Sequence, residues 1–128
     1  MTGSLKAVCI DCARPAALAR WWAELLGWRV RAYDEEELAR LHAAGIADPE
    51  DDPAVAVDPP DPRMPTLWFN AVAESKAGKN RVHLDVIGSL DEVARSGARV
   101  LRAAGDDIDW HVLADPEGNE FCLFAPLS

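Results

Sequence analysis

The stretch Asp115-Pro116-Glu117-Gly118-Asn119-Glu120-Phe121-Cys122-Leu123-Phe124 decides the fold of this chain. Its first half contains turn formers, because Asp and Pro favour the start of a turn and Gly118 and Asn119 tolerate a positive φ. Its second half alternates, so one face of a strand is predicted to carry Glu120, Cys122 and Phe124, and the other face Phe121 and Leu123. The turn sets the register of this strand, since a slip of one residue would reverse both faces.

A second alternating run, Arg81-Val82-His83-Leu84-Asp85-Val86, predicts another strand. Asp85 shares a face with His83, as Glu120 does with Cys122. If both strands belong to one sheet, His83 and Cys122 face the same cavity. The sequence therefore indicates a polar site formed by two strands that are distant in the chain.

Composition sets limits on the function. The chain has 128 residues, the length of one domain, and a formal net charge of −9. Such a surface repels nucleic-acid phosphates and anionic lipids, so we expect no nucleic-acid partner and no membrane partner. No apolar run approaches the roughly 18–20 residues that span a bilayer, and the N-terminus lacks a signal-peptide core, which predicts a cytoplasmic protein.

Three cysteines fit reduced thiols in that compartment. Cys9 and Cys12 form a C-x-x-C pair, but they fall in and just after a predicted strand. A redox pair would be expected at the N-terminus of a helix. We therefore assign the pair no redox role.

The two halves of the chain repeat one order of elements: strand, helix, then three strands. Residues 54–57 stand between loops rich in Asp and Pro, which predicts an edge strand. The predicted organisation is a single domain with a first module over about 5–73, a linker over 74–80 and a second module over about 81–126. The first half has predicted strands at 5–12, 28–33, 54–57 and 66–72 and helices at 15–26 and 34–44; the second has strands at 81–87, 99–103, 110–114 and 120–125 and a helix from Ser89 to Gly97.

With these residues, that order resembles the vicinal-oxygen-chelate superfamily, which includes glyoxalases, bleomycin-resistance proteins and extradiol dioxygenases. The resemblance implies an α+β fold in which two βαβββ modules form a curved mixed sheet around a pocket. It also implies a homodimer, because many members are homodimers. The matching segments are Pro15-Ala16-Ala17-Leu18-Ala19-Arg20-Trp21-Trp22 with Leu26-Gly27-Trp28, Lys76-Ala77-Gly78-Lys79-Asn80-Arg81-Val82-His83-Leu84-Asp85, Gly97-Ala98 and the stretch from Asp115 to Phe124.

The resemblance implies a divalent metal held by His and Glu side chains, with open positions for substrate oxygens. The usual first-strand His corresponds to Ala7, which cannot bind a metal. The position after the linker is His83, and the usual Glu of the last strand is replaced by Cys122. A set rebuilt from neighbouring carboxylates would use Glu120 and either Asp11 or Asp85, with Cys122 as a soft ligand that favours zinc.

Three functions stay open. The first is a protein that binds a small organic molecule in the inter-module pocket, without the full metal site. The second is a lyase, isomerase or dioxygenase with zinc, iron, nickel or manganese on His83 and Glu120. The third is metal-free acid–base catalysis by His83 with Asp85 or Glu120. The predicted ligand pocket consists of Trp68, Asn70, His83, Asp85, Glu120 and Cys122, in which the aromatic and the amide would stack and orient a ligand.

Overall fold

The structure is a computed structural model that describes residues 2–127. The chain divides into two compact units, one ending at Ser75 and the other beginning at Lys76. The first unit contains β1 (Ala7–Cys12), α1 (Pro15–Leu26), β2 (Arg29–Val30), α2 (Glu35–Ala43), a 3-10 helix (Pro49–Asp51), β3 (Ala54–Asp58) and β4 (Thr66–Ala71); the second contains β5 (Asp85–Ile87), α3 (Leu90–Arg95), β6 (Arg99–Arg102), β7 (His111–Ala114) and β8 (Glu120–Phe124).

Both units have the same sheet topology. The strand order is β1-β4-β3-β2 in the first unit and β5-β8-β7-β6 in the second. In each sheet the first strand of the unit pairs in parallel with the last strand, and the remaining pairs are antiparallel. The structure therefore confirms the predicted α+β class with two βαβββ modules. None of the helices among residues 2–127 is long and apolar enough to cross a membrane.

Helix α1 covers the first sheet with one apolar side. Leu18 and Trp22, four residues apart, are each only 2% exposed, and Phe69 of β4 is completely buried. Pro15 occupies the first turn, where its missing N–H costs no helical hydrogen bond. Gly27 ends the helix with a φ of 68°, a left-handed conformation that favours glycine. The buried side chains of α1 and β4 thus form the core of this unit, and the helix predicted over 15–26 is confirmed.

Strand β3 corrects one prediction. It is an internal strand, because it pairs with β4 on one side and with β2 on the other. The expectation of an edge strand rested on nearby prolines, but Pro53 and Pro59 flank β3 and remove no hydrogen bond from its interior. Strand β2 is shorter than predicted, although the Arg31 N–H still donates to the Ala56 carbonyl at 2.9 Å.

The turn before β8 is held by a buried carboxylate. Asp115 is only 4% exposed, and one of its oxygens accepts the N–H groups of Glu117 at 2.9 Å and of Asn119 at 3.0 Å. The other oxygen accepts the Asn119 side-chain amide at 3.1 Å. Gly118 has a φ of 87°, as the turn chemistry predicts. This turn fixes the register of β8, whose Phe121 and Leu123 are buried at 1% and 0% exposure.

Candidate functional site

Parallel pairing of β5 with β8 creates the main cluster of reactive side chains. The register sets Asp85 opposite Cys122, and the imidazole Nδ1 of His83 lies 3.2 Å from Oδ1 of Asp85. A ligand atom from each of His83, Asp85 and Cys122 lies within 4.8 Å of the other two. We call these three residues the His83 group.

The His83 group is open on one side and buried on the other. The side chains of His83 and Asp85 are 37% and 57% exposed, whereas Cys122 is 8% exposed. The Asp85 carboxylate lies at ion-pair distance from the imidazole, and each ring nitrogen can donate or accept a hydrogen bond according to the tautomer. The arrangement therefore provides a partly exposed imidazole beside a carboxylate, with a thiol at its buried side.

His83 itself lies outside the sheet. The strand predicted over 81–87 begins only at Asp85, and residues 81–84 precede it. The Leu84 carbonyl nevertheless accepts the Cys122 N–H at 3.0 Å, so the chain joins β8 one residue before β5 begins. The alternation in the sequence correctly brings His83, Asp85 and Cys122 together, but the regular strand is shorter than the pattern suggested.

The Cys122 thiol is protonated at neutral pH. Burial raises its pKa above the ordinary value, and the Asp85 carboxylate raises the pKa further through its charge and a hydrogen bond. The Lys79 ammonium opposes this rise with a smaller effect. Because the thiolate is the reactive form, Cys122 is a poor nucleophile in this state.

We expect Cys122 to react with iodoacetamide at least about tenfold more slowly at pH 7 than Cys9, which is exposed. The rate at Cys122 should rise only above the pH at which an ordinary cysteine ionises, because its pKa is raised. Peptide mass spectrometry after timed labelling measures both rates, and a Cys9→Ser variant isolates the slower thiols. Rapid labelling of Cys122 at pH 7 would contradict the assignment of a buried, protonated thiol.

Glu120 lies on the same strand but outside the His83 group. Its carboxylate accepts the Asn80 N–H at 3.0 Å and the Lys76 ammonium at 3.2 Å. Burial acts to raise the pKa of Glu120, but the hydrogen bonds from the Asn80 N–H, its own backbone N–H and Lys76 outweigh burial and leave the pKa below its usual range. Both oxygens are thus engaged by donors within the second unit.

Trp68 and Asn70 lie in the first unit, on β4. Trp68 is opposite Cys9 and Ala56, and Asn70 is opposite Asp11 and Ala54. These pairs form the side of the first sheet that faces away from α1, since the alternating residues Leu67 and Phe69 are buried at 3% and 0% exposure.

Sequence reasoning missed a cation at Trp68. The Arg31 guanidinium lies 5.2 Å from the centre of the Trp68 ring. Asp58 accepts two hydrogen bonds from Arg31, at 2.8 and 2.7 Å, and a third from the Thr66 hydroxyl at 2.7 Å. Arg31 and Asp58 are 27 residues apart, so no local spacing in the sequence predicts the pair. Only the antiparallel pairing of β2 with β3, visible as alternation in both segments, could have suggested it.

A metal ion requires donor atoms at defined distances from one another. Donors around a tetrahedral zinc lie roughly 3.3–3.8 Å apart, as bond lengths of about 2.0–2.3 Å require. The observed 3.2 Å between His83 and Asp85 is close to that range, and it is also an ordinary hydrogen-bond distance. Imidazole, carboxylate and thiolate are all zinc ligands. The three donor atoms lie within 4.8 Å of one another, a wider limit than the tetrahedral range. Ala7 contributes no donor.

Two concavities lie elsewhere, in the first unit. One of about 550 Å³ is bordered by Trp28, Arg29 and Asp58, and one of about 280 Å³ by Arg20, Tyr33 and Glu50. Neither is bordered by residues of the His83 group.

The comparisons agree with this architecture. Residues 7–124 match the family model described as "Glyoxalase-like domain", and the chain belongs to that family. No curated protein sequence is significantly similar to the chain. Solved structures from the glyoxalase, bleomycin-resistance and dioxygenase superfamily share the fold, which confirms the vicinal-oxygen-chelate resemblance.

Three of these structures define the range of the likeness. A glyoxalase/bleomycin resistance protein/dioxygenase family enzyme from Burkholderia phytofirmans PsJN has a TM-score of 0.63 and 18% identity, covering 98% of this chain and 100% of its own. The oxidase ChaP-H2 has a TM-score of 0.61 and 16% identity, with 99% and 96% covered. The fosfomycin resistance protein FosX from Listeria monocytogenes has a TM-score of 0.60 and 8% identity, with 99% and 94% covered. At these identities the likeness concerns the fold.

Proposed function

We propose that this chain binds a small organic molecule at the His83 group on the open face of its second sheet, without the full metal site of its superfamily. The observation that carries the proposal is the imidazole of His83, which is oriented by Asp85 at 3.2 Å and remains partly exposed. An accessible imidazole beside a carboxylate is suited to exchange hydrogen bonds with the polar groups of a ligand.

Apolar side chains near the group support a ligand with an organic body. Ile87 follows Asp85 on the same face of β5 and is 71% exposed. It lies opposite Phe124, whose ring stacks on Trp110 with centres 5.8 Å apart. Exposed apolar surface rimmed by polar residues marks interaction sites or ligand-binding grooves. The fosfomycin resistance protein and the oxidase among the similar structures indicate the breadth of ligands this fold serves.

The second candidate is a divalent-metal protein in which His83, Asp85 and Cys122 hold the ion. The close approach of their three donor atoms favours it. A metal bound there would act as a Lewis acid toward a neighbouring oxygen. Glu120, predicted as a ligand with His83, is engaged by Lys76 and Asn80 in this structure.

Metal analysis of protein purified without chelator separates the two candidates. We expect well below one equivalent of zinc, iron, nickel or manganese per chain, before and after incubation with each ion, because Ala7 supplies no donor and the Glu120 carboxylate is engaged by Lys76 and Asn80. In a screen of small organic compounds by NMR, bound compounds should shift the imidazole signals of His83. The His83→Ala variant should lose that binding, and His42→Ala, at an exposed position on α2, should retain it.

Bound metal would support the second candidate. One equivalent of metal that is retained by His42→Ala and lost by His83→Ala would replace the first candidate with the second. Metal-free protein that binds no compound through His83 would contradict both. The family likeness also favours a homodimer, and both the homodimer and the cytoplasmic location stay predictions.

A further inference from the structure

We infer that Glu120 is a positioning residue that holds His83 in place through the backbone of residues 76–80. We call residues 76–80 the strap. The inference rests on the proposed role of the His83 group, and it gives Glu120 a task that neither ligand contact nor metal binding requires. Glu120 would act through the strap, without touching the ligand.

The strap is fastened to Glu120, the first residue of β8, by two contacts. The Glu120 carboxylate accepts the Asn80 N–H at 3.0 Å and the Lys76 ammonium at 3.2 Å. The Lys76 ammonium also donates to the Gly78 carbonyl, which closes the strap on itself. A Cβ added at Gly118 would lie 3.7 Å from Cδ of Lys76, so the lysine stem lies against the turn before β8. With Lys76 and Glu120 side chains 27% and 15% exposed, this ion pair is less open to solvent than the pairs on the surface of the first unit.

A second anchor lies just beyond His83. The Cys122 N–H donates to the Leu84 carbonyl at 3.0 Å. The chain between Asn80 and Leu84 is therefore tied to β8 at both ends, by Glu120 and by Cys122. His83 is the residue immediately before the second tie.

The segment between the two anchors is not straight. The backbone bends at Arg81 and Val82, between the Asn80 N–H bound to the Glu120 carboxylate and the Leu84 carbonyl bound to the Cys122 N–H. With both ends tied, the segment that carries His83 is held beside Asp85; without the Glu120 tie, only its Leu84 end stays fixed.

Two substitutions at Glu120 and one matched control test this inference. Glu120→Ala removes both acceptor oxygens, while Glu120→Gln keeps one oxygen for the Asn80 N–H and loses the charge that holds Lys76. Glu92→Gln makes the same chemical change at an exposed position on α3. The readouts are hydrogen exchange of the Asn80 amide and the imidazole NMR signals of His83, both measured without a ligand and alongside the melting temperature.

In Glu120→Ala we expect the Asn80 amide to exchange about tenfold faster, because a hydrogen bond to a charged acceptor is lost. The His83 imidazole signals should shift toward those of the exposed His42. Glu120→Gln should restore part of both effects, and Glu92→Gln should leave both unchanged. Partial rescue by Glu120→Gln is the decisive result. A general loss of stability would not depend on whether one acceptor oxygen is kept.

Unchanged Asn80 exchange and unchanged His83 signals in Glu120→Ala would overturn the inference. If that variant does not fold, Glu120→Gln decides: partial changes in both readouts support the inference, and wild-type values overturn it. Neither readout depends on a bound molecule. Protein that shows both changes but binds neither an organic compound nor a metal would therefore contradict the proposed function and leave the positioning role intact.

Discussion

Replacing Phe69 with alanine is expected to lower the free energy of unfolding by about 3–5 kcal/mol. Phe69 is fully buried in β4, where it lies opposite Ile10 of β1 and Val55 of β3. Truncation removes most of the ring's apolar burial and leaves a cavity between two strands and α1 that the surrounding residues can only partly fill. For a chain of this length, the melting temperature should fall by on the order of 10–20 °C.

Thermal and urea unfolding of purified protein measure this change directly. Phe69→Leu should cost less, because it keeps most of the apolar volume. Leu5→Ala is the matched negative control, since Leu5 is 77% exposed and should change stability little. A Phe69→Ala variant as stable as wild type would show that the core of the first unit is not where the structure places it.

Asp115→Ala is expected to cost about 2–4 kcal/mol, the second largest effect. The buried carboxylate accepts the N–H groups of Glu117 and Asn119 and the side-chain amide of Asn119. Alanine would remove the acceptor of these donors in a partly buried turn, and an unsatisfied buried donor costs more than the hydrogen bond itself contributes. The loss should also disturb the register of β8, which would appear as changed NMR signals for Cys122.

Asp115→Asn is the informative control for that experiment. Its carbonyl oxygen can still accept the two backbone N–H groups, so we expect roughly half of the stability to return. If alanine and asparagine were equally destabilising, the charge of the carboxylate would matter more than its acceptor positions. If neither changed the unfolding curve, the turn would be held by other contacts.

Local signals in the sequence were sufficient for the parts of the fold that local chemistry determines. Leu18 and Trp22 are four residues apart, which is the spacing of one helix face, and Gly27 follows as a typical helix end. These two signals together predict the first helix. The Gly118 turn and the alternation after it gave β8 and its faces. The strand β3 was misread, since prolines beside a strand look like prolines within it until the pairing partners are known.

Alternation along the sequence predicted which side chains of one strand share a face. It could not predict contacts between residues that are distant in the chain. Alternation linked His83 with Asp85 and pointed to Cys122, and the parallel register brought the three together. The engagement of Glu120 by Lys76 depends on contacts across 44 residues, so no pattern in the sequence could reveal it. The same limit applied to Arg31 and its pairing with Asp58.

The identical strand order of the two sheets has a consequence for stoichiometry. The first sheet repeats the parallel pairing of the second, but it sets Cys9 opposite Trp68 and Asp11 opposite Asn70, and it offers no histidine. Within residues 2–127, one metal-capable group occurs, and it lies in the second unit. Two copies of one architecture thus carry a single set of reactive side chains, so a molecule recognised by His83 should saturate at one equivalent per chain.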